Sequence, residues 1–257
     1  MGKRKMILIF LFIFFSVFAV VVLSFNLKGK VVLKSEDSTA EYLDGDEGYD
    51  VSTYITADVL ANTQKCNVDL CLKEEYTPEL IGKDADEIVI ASVISLDNAE
   101  ADKGLFGITT GKILINQTLK GDLEQGQVVE YMKNGGVMKM SDWERTQPQS
   151  ANEKRKYLRE QSGVDIDLNN TYIDISVSDD VDIEAGYTYL IYLVKNEDKY
   201  EIIGLGAGLR KVNLNYTNKI KKQNLNVDTL EVMNNKTGEF ESLENYINTY
   251  INNSEKE

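Results

Sequence analysis

The sequence predicts a mainly β protein: a small closed β-barrel carried outside the cell behind an N-terminal transmembrane helix. Three observations predict it. Met6–Phe25 is an uncharged apolar run placed directly after Lys3, Arg4 and Lys5. Between residues 87 and 214, five or six segments rich in β-branched and aromatic residues alternate with Gly and Asn/Asp turns. Helical periodicity is confined to a few short stretches, one of them at the C-terminus.

The apolar run is twenty residues long and holds only Ser16 and Ser24 as polar groups. At 1.5 Å rise per residue that length spans about 30 Å, the thickness of a hydrocarbon core. The basic stub of residues 1–5 is expected to stay in the cytoplasm, with everything after the run on the outer face. A retained signal anchor and a signal peptide removed to give a secreted product are the two readings. The length of the run and the lack of an A-x-A site favour the anchor.

Composition bounds the rest. With 257 residues there is room for one domain plus appendages, and 42% hydrophobic residues can build a core. The absence of His removes Ser-His-Asp and Cys-His catalysis and every His metal ligand. A net charge of −14 argues against nucleic acid as a partner. All five bases of residues 1–30 flank the apolar run, so the exported remainder is more acidic still.

Residues 26–64 read as an acidic stalk leading into a first packed element. Ser35–Gln64 carries eight acids and no base, while Tyr49, Val51, Tyr54, Ile55, Val59 and Leu60 suggest packing at its far end. Residues 65–76 hold Cys66 and Cys71, the only two Cys. Outside the cell such a pair most simply closes a disulfide loop, with free thiols as the other reading. Metal binding by the two would need further ligands, and no other Cys and no His is present.

The main domain is expected over residues 77–215. Thr77 as N-cap, Pro78 at the first position and Glu79 in the first turn predict a short helix ended by Gly82. Glu87–Leu96 is near-continuously apolar, as a strand covered on both faces should be. Gly107–Leu119 and Val128–Met132 follow as strands, joined by the turn-rich Lys120–Gln127. Residues 137–170 read as an insertion in which Ser150 and Glu153 form a capping box for a short charged helix. Strands resume at Thr171–Val177, Tyr187–Val194, Tyr200–Leu205 and Leu209–Leu214. In residues 216–257, Phe240, Leu243, Ile247 and Ile251 define one face of an amphipathic helix from Glu239 to Asn252.

ADEIVIASVISL, then LKGDLEQGQVVEY, then GYTYLIYLVKNEDKYEIIG, in that order, resembles a widespread group of exported bacterial proteins. These have an OB-like barrel similar to the netrin/metalloprotease-inhibitor fold. The matching positions are Leu119–Leu123 with Gly126, and Gly186, Tyr189, Leu190, Tyr192 and Leu193. The resemblance covers about residues 77–215 and implies an OB-like barrel and an extracytoplasmic location, with no catalytic residue attached. Inhibitors of the related eukaryotic fold use a Cys at the mature N-terminus; no such residue stands here, so that activity does not carry over.

Chemistry is sparsely marked. Asp165-x-Asp167-x-Asn169 begins like a calcium loop, but Asn170 and Ser176 occupy its most demanding positions. Gly204-x-Gly206-x-Gly208 lacks the helix of a phosphate-binding turn and suits a bend between strands. No cofactor, metal or catalytic set is expected. Lys154, Arg155, Lys156 and Arg159 form the only basic cluster of the exported part, and with Trp143 just upstream they are the expected contact surface. The function expected is therefore that of a membrane-anchored binding module for a protein or a cell-envelope polysaccharide. A hydrolase using paired carboxylates and a structural envelope component are the alternatives.

Overall fold

The computed structural model describes residues 41–42, 48–69, 76–101, 106–177, 180–214 and 219–252. The basic stub, Met6–Phe25 and Cys71 lie outside these. Among the described residues no helix is long and apolar enough to cross a membrane. The principal elements begin with β1 (Ser52–Thr53), β2 (Thr63–Val68), α1 (Pro78–Asp84), β3 (Glu87–Glu100), β4 (Ile108–Lys120) and β5 (Val128–Asn134). They continue with β6 (Gly136–Lys139), α2 (Met140–Thr146), α3 (Gln149–Ser162), β7 (Tyr172–Val177), β8 (Thr188–Asn196) and β9 (Lys199–Ile202). The last are β10 (Leu209–Lys211), β11 (Glu231–Met233), β12 (Phe240–Ser242) and α4 (Leu243–Tyr246), which runs on as a π turn over Ile247–Ile251.

Strand pairing makes the protein mainly β, in several sheets. β3 pairs antiparallel with both β4 and β8, β4 with β5, and β8 with β9. A parallel pairing of β9 with β5 completes the circuit, so five strands close on one another in the order β3–β4–β5–β9–β8. β1 extends this sheet on β3 and β10 extends it on β8. Four register shifts between β3 and β4 mark the bulges that let two long strands curve around the ring.

Alternation along each strand then sorts the side chains. Val89, Ala91, Val93, Ile113, Ile115, Val129, Tyr131, Tyr189, Ile191 and Leu193 share one core. Ile88, Ile90, Leu190 and Tyr192 face the other way and are covered by Ile81 of α1 and by Leu243 and Tyr246 of α4. Both faces of β3 are thus buried, which is why Glu87–Leu96 carries almost no polar alternation.

Two local devices hold the ring's corner. Thr77 caps α1, its Oγ1 accepting from the Leu80 N–H at 3.3 Å. The helix continues past Gly82 to Asp84, because Gly82 is buried within it rather than free to end it. The Lys120–Gln127 turn wraps the buried Glu87 carboxylate, which accepts from the backbone N–H groups of Asp122 (3.0 Å) and Leu123 (3.2 Å). Lys120 Nζ meanwhile donates to the Gly82 and Ala85 carbonyls, tying the same turn to α1.

Several expectations are corrected. Thr171–Val177 is no strand of the ring. As β7 it lies in a separate three-stranded sheet, parallel to β2 and antiparallel to β6. Its alternating pattern specifies two faces but not a partner, and β2 supplies the partner from far upstream. Ser150 does not cap α3: the helix starts at Gln149 with Pro148 at the cap position and no side-chain cap. Glu153 accepts from Gln149 Nε2 at 2.8 Å instead. The C-terminal helix begins at Leu243 rather than Glu239, because Phe240–Ser242 pairs with β11 and Ser242 Oγ then caps the helix at Asn245 N (3.3 Å). Leu205–Gly208 forms a helical turn between β9 and β10, in the place expected for a bend. Within the acidic stretch, Glu41–Tyr42 pairs with Gln223–Asn224 and Tyr49–Asp50 with Lys219–Ile220.

Candidate functional site

The inward side chains of the ring are apolar over most of its length and turn polar at one end. On β5 the buried positions run Val129, Tyr131, Lys133. On β4 they run Ile115, Ile113, Gly111, Thr109. A lysine at an inward position needs a counter-charge. Asp180, in the loop before β8, provides it: Lys133 Nζ donates to Asp180 Oδ2 at 2.5 Å, with both side chains buried. The other carboxylate oxygen, Oδ1, accepts from the Val181 N–H at 2.8 Å.

At this end lies a cavity of about 580 Å³, a size ordinary for small-molecule sites. Tyr54, Ile55 and Leu60 wall it from the N-terminal segment, Thr109 and Lys133 from the ring, and Val137 and Asp174 from the second sheet. The loop Asp180–Tyr187 closes the remaining side. The chain passes from β5 to β6 through Gly135 and Gly136, both at positive φ. A side chain at Gly136 would run into Thr109 Oγ1. Thr109 Oγ1 itself donates to the Gly135 carbonyl at 2.7 Å, so the turn and the cavity wall share one contact.

Tyr54 reaches across to the second sheet, its hydroxyl donating to the Val137 carbonyl at 2.8 Å. Burial pushes its phenol up to about 12, so it stays a neutral donor at any physiological pH. Asp174 is the contrasting group. It is only 8% exposed, lines the cavity, and makes no hydrogen bond or ion pair among the described residues. Burial holds its carboxyl above the usual range, and the charge of Asp182 adds to this against the opposing pull of Lys65 and Lys133. Glu184, on the loop wall, faces Lys211 Nζ at 3.6 Å, and that ammonium also sits over the Tyr187 ring.

The residues singled out in the sequence lie elsewhere. Cys66 is half-buried on β2 and in no disulfide among the described residues; Cys71 lies outside them. Trp143, Arg155 and Arg159 meet where α3 docks on α2. Arg159 holds Glu144 with two bonds, at 2.6 and 3.2 Å. The Arg155 guanidinium stacks 4.6 Å above the Trp143 ring, and Trp143 packs on the core of the second sheet. Lys154 and Lys156 are exposed on the outer side of α3. Asp167 spends its carboxylate on Asn169 N and Asn170 Nδ2 within its own loop. Among the described residues no cluster of acids and Cys is arranged to hold a metal ion.

Sequence reasoning missed Tyr54, Lys133 and Asp174. Lys133 carried a signal: it continues the inward alternation of Val129 and Tyr131, where a charge is out of place. Asp174 likewise sits among the apolar positions of TYIDISV, but its burial depends on the loop and sheet that enclose it. Compared with known proteins, the chain matches no family model and no curated protein.

Proposed function

We propose that the chain is a membrane-anchored extracytoplasmic binding module whose OB-like barrel receives a ligand in the cavity at its polar end. Met6–Phe25 is the anchor, with Lys3, Arg4 and Lys5 on the cytoplasmic side; cleavage after this segment would release the same module as a secreted protein. The ring order, with its single parallel pair between β5 and β9, the third and fifth ring strands in chain order, supports the OB-like reading. The observation that carries the binding reading is the cavity itself, where apolar walls meet a few convergent polar groups. Its volume suits a small molecule or the terminal group of a protein or envelope polysaccharide. Cys66 and Cys71 would close a disulfide in that compartment. Lys154 and Lys156, beside the Trp143–Arg155–Arg159 junction, would face a larger partner.

Protease treatment of intact cells tests the placement. Trypsin added outside should degrade the domain while a cytoplasmic control protein survives; survival of both would refute it.

One observation favours a second reading, a hydrolase using paired carboxylates. Asp174 is raised in pKa by burial and by Asp182, which is exposed on the same cavity, and two carboxyls in unlike environments can divide acid and base roles. Release of reducing ends from wall polysaccharide, lost in Asp174→Asn, is its expected signature. No release from any wall fraction removes it.

A further inference from the structure

The cavity's polar groups differ in one respect that selects a ligand chemistry. Lys133 is committed to Asp180, and Asp180 is satisfied at both oxygens. Glu184 is beside Lys211. Tyr54 donates to Val137. Lys65, the β2 register partner of Asp174, also lines the cavity, but it is exposed and forms no ion pair with Asp174. That leaves Asp174, only 8% exposed as a residue and with no hydrogen bond or ion pair among the described residues, on a cavity whose other walls include Ile55, Leu60, Val137 and Ile183. A partly desolvated carboxylate without a protein partner has lost some of its hydration, and an arriving counter-ion makes up for it. An anionic ligand would instead meet Asp174 and Asp182, with the Lys133 charge neutralised by Asp180 and only the exposed Lys65 to favour it.

We infer that the cavity binds a ligand carrying an ammonium group on a compact apolar body, the ammonium pairing with Asp174 and the body lying against the aliphatic wall. This rests on the reading of the cavity as a ligand site and adds the ligand's charge. A charge-assisted hydrogen bond of this kind is worth a factor of about ten or more in affinity.

The test uses the full chain in maltoside micelles with ¹³C-methyl-labelled Ile and Val. Phenethylammonium, 2-phenylethanol and 3-phenylpropionate serve as cationic, neutral and anionic probes of similar body. Saturable shifts at Ile55, Ile175 and Ile183 are expected with phenethylammonium, with about tenfold or weaker binding of the other two. Asp174→Asn should reduce the cation to the affinity of the alcohol, whereas Asp142→Asn, outside the cavity, should not. If the alcohol or the carboxylate binds there as tightly as the cation, or if Asp174→Asn leaves the cation's affinity unchanged, the charge assignment is overturned while the cavity stands as a ligand site. If none of the three gives saturable shifts at these methyls, both readings fall. The comparison of probes on the unaltered chain does not depend on how any variant folds.

Discussion

Lys133 and Asp180, 47 positions apart, form a buried ion pair of 2.5 Å at the end of the ring, with side chains 10% and 4% exposed. One comes from a ring strand and the other from the loop that walls the cavity, so the contact pins the loop over the ring's open end. It also neutralises a charge that the inward alternation of β5 would otherwise leave stranded.

Breaking this pair from one side should be expensive. Asp180→Asn leaves the Lys133 ammonium buried without its counter-charge, at a cost of about 3–5 kcal/mol. The double change Lys133→Met with Asp180→Leu removes both charges and should recover most of that loss. Urea unfolding of the full chain measures both, and equal destabilisation of the single and double variants would show that the pair's charges are not the cause.

Asp174→Asn should stabilise the protein at neutral pH. The raised carboxyl pKa means that the native state holds its proton to higher pH than the unfolded chain does. Its contribution is therefore fully favourable below the ordinary carboxyl range and is lost as pH rises through the raised value. The variant lacks that loss. Urea midpoints followed from about pH 4 to about pH 8 should fall more steeply with rising pH for the unaltered chain than for the variant. A variant less stable than the parent at neutral pH would mean that Asp174 has a structural partner.

Glu144 joins α2 to α3 through Arg159 and Arg155. Because both arginines keep some solvent exposure, Glu144→Gln should cost only about 1 kcal/mol globally. Its effect should concentrate in amide exchange across Gln149–Ser162, where no side chain is fully buried and the other ties are the Asn152 bond to the Glu144 carbonyl and the Arg155–Trp143 stack. Unchanged exchange there would mean that the Trp143–Arg155 stack suffices.

Gly111 of β4 is the register partner of Leu96 on β3. A methyl group at this position would collide with the Ser95 carbonyl oxygen and crowd the Tyr131 hydroxyl, 2.8 Å away. Gly111→Ala should cost about 1–3 kcal/mol or more as overpacking. It should also weaken the 3.3 Å bond from the Tyr131 hydroxyl to Ser95 O. Thermal unfolding checks the first effect and the near-ultraviolet tyrosine signal the second.

Local signals in the chain were read faithfully where neighbours alone decide the outcome. The Thr77–Pro78 start of α1 needs only adjacent residues and forms as expected, and the tight turn Glu197–Asp198 between β8 and β9 is local in the same way. The C-terminal face was half legible: Leu243 and Ile251 are buried, but Phe240 is drawn into a strand by Glu231–Met233, a competitor that helical spacing does not reveal. The candidate site was least legible. Lys133 stands out only by falling on the inward alternation of β5, and Asp180 looks like an ordinary surface charge until a ring and a loop enclose it.

By itself, the sequence determined the mainly β character, the strand that is apolar on both faces, the glycine and Asn/Asp turns, and the chemistry that a chain without His cannot perform. These follow from propensity, periodicity and composition, which act over a few residues. Only the tertiary structure decided that β9 meets β5 in parallel to close the ring, that TYIDISV joins a second sheet, and that Asp174 ends up desolvated beside an ion pair drawn from 47 positions apart. Pairing between distant strands and the burial of a charge are properties of the packed whole, because hydration is lost only once every wall is in place.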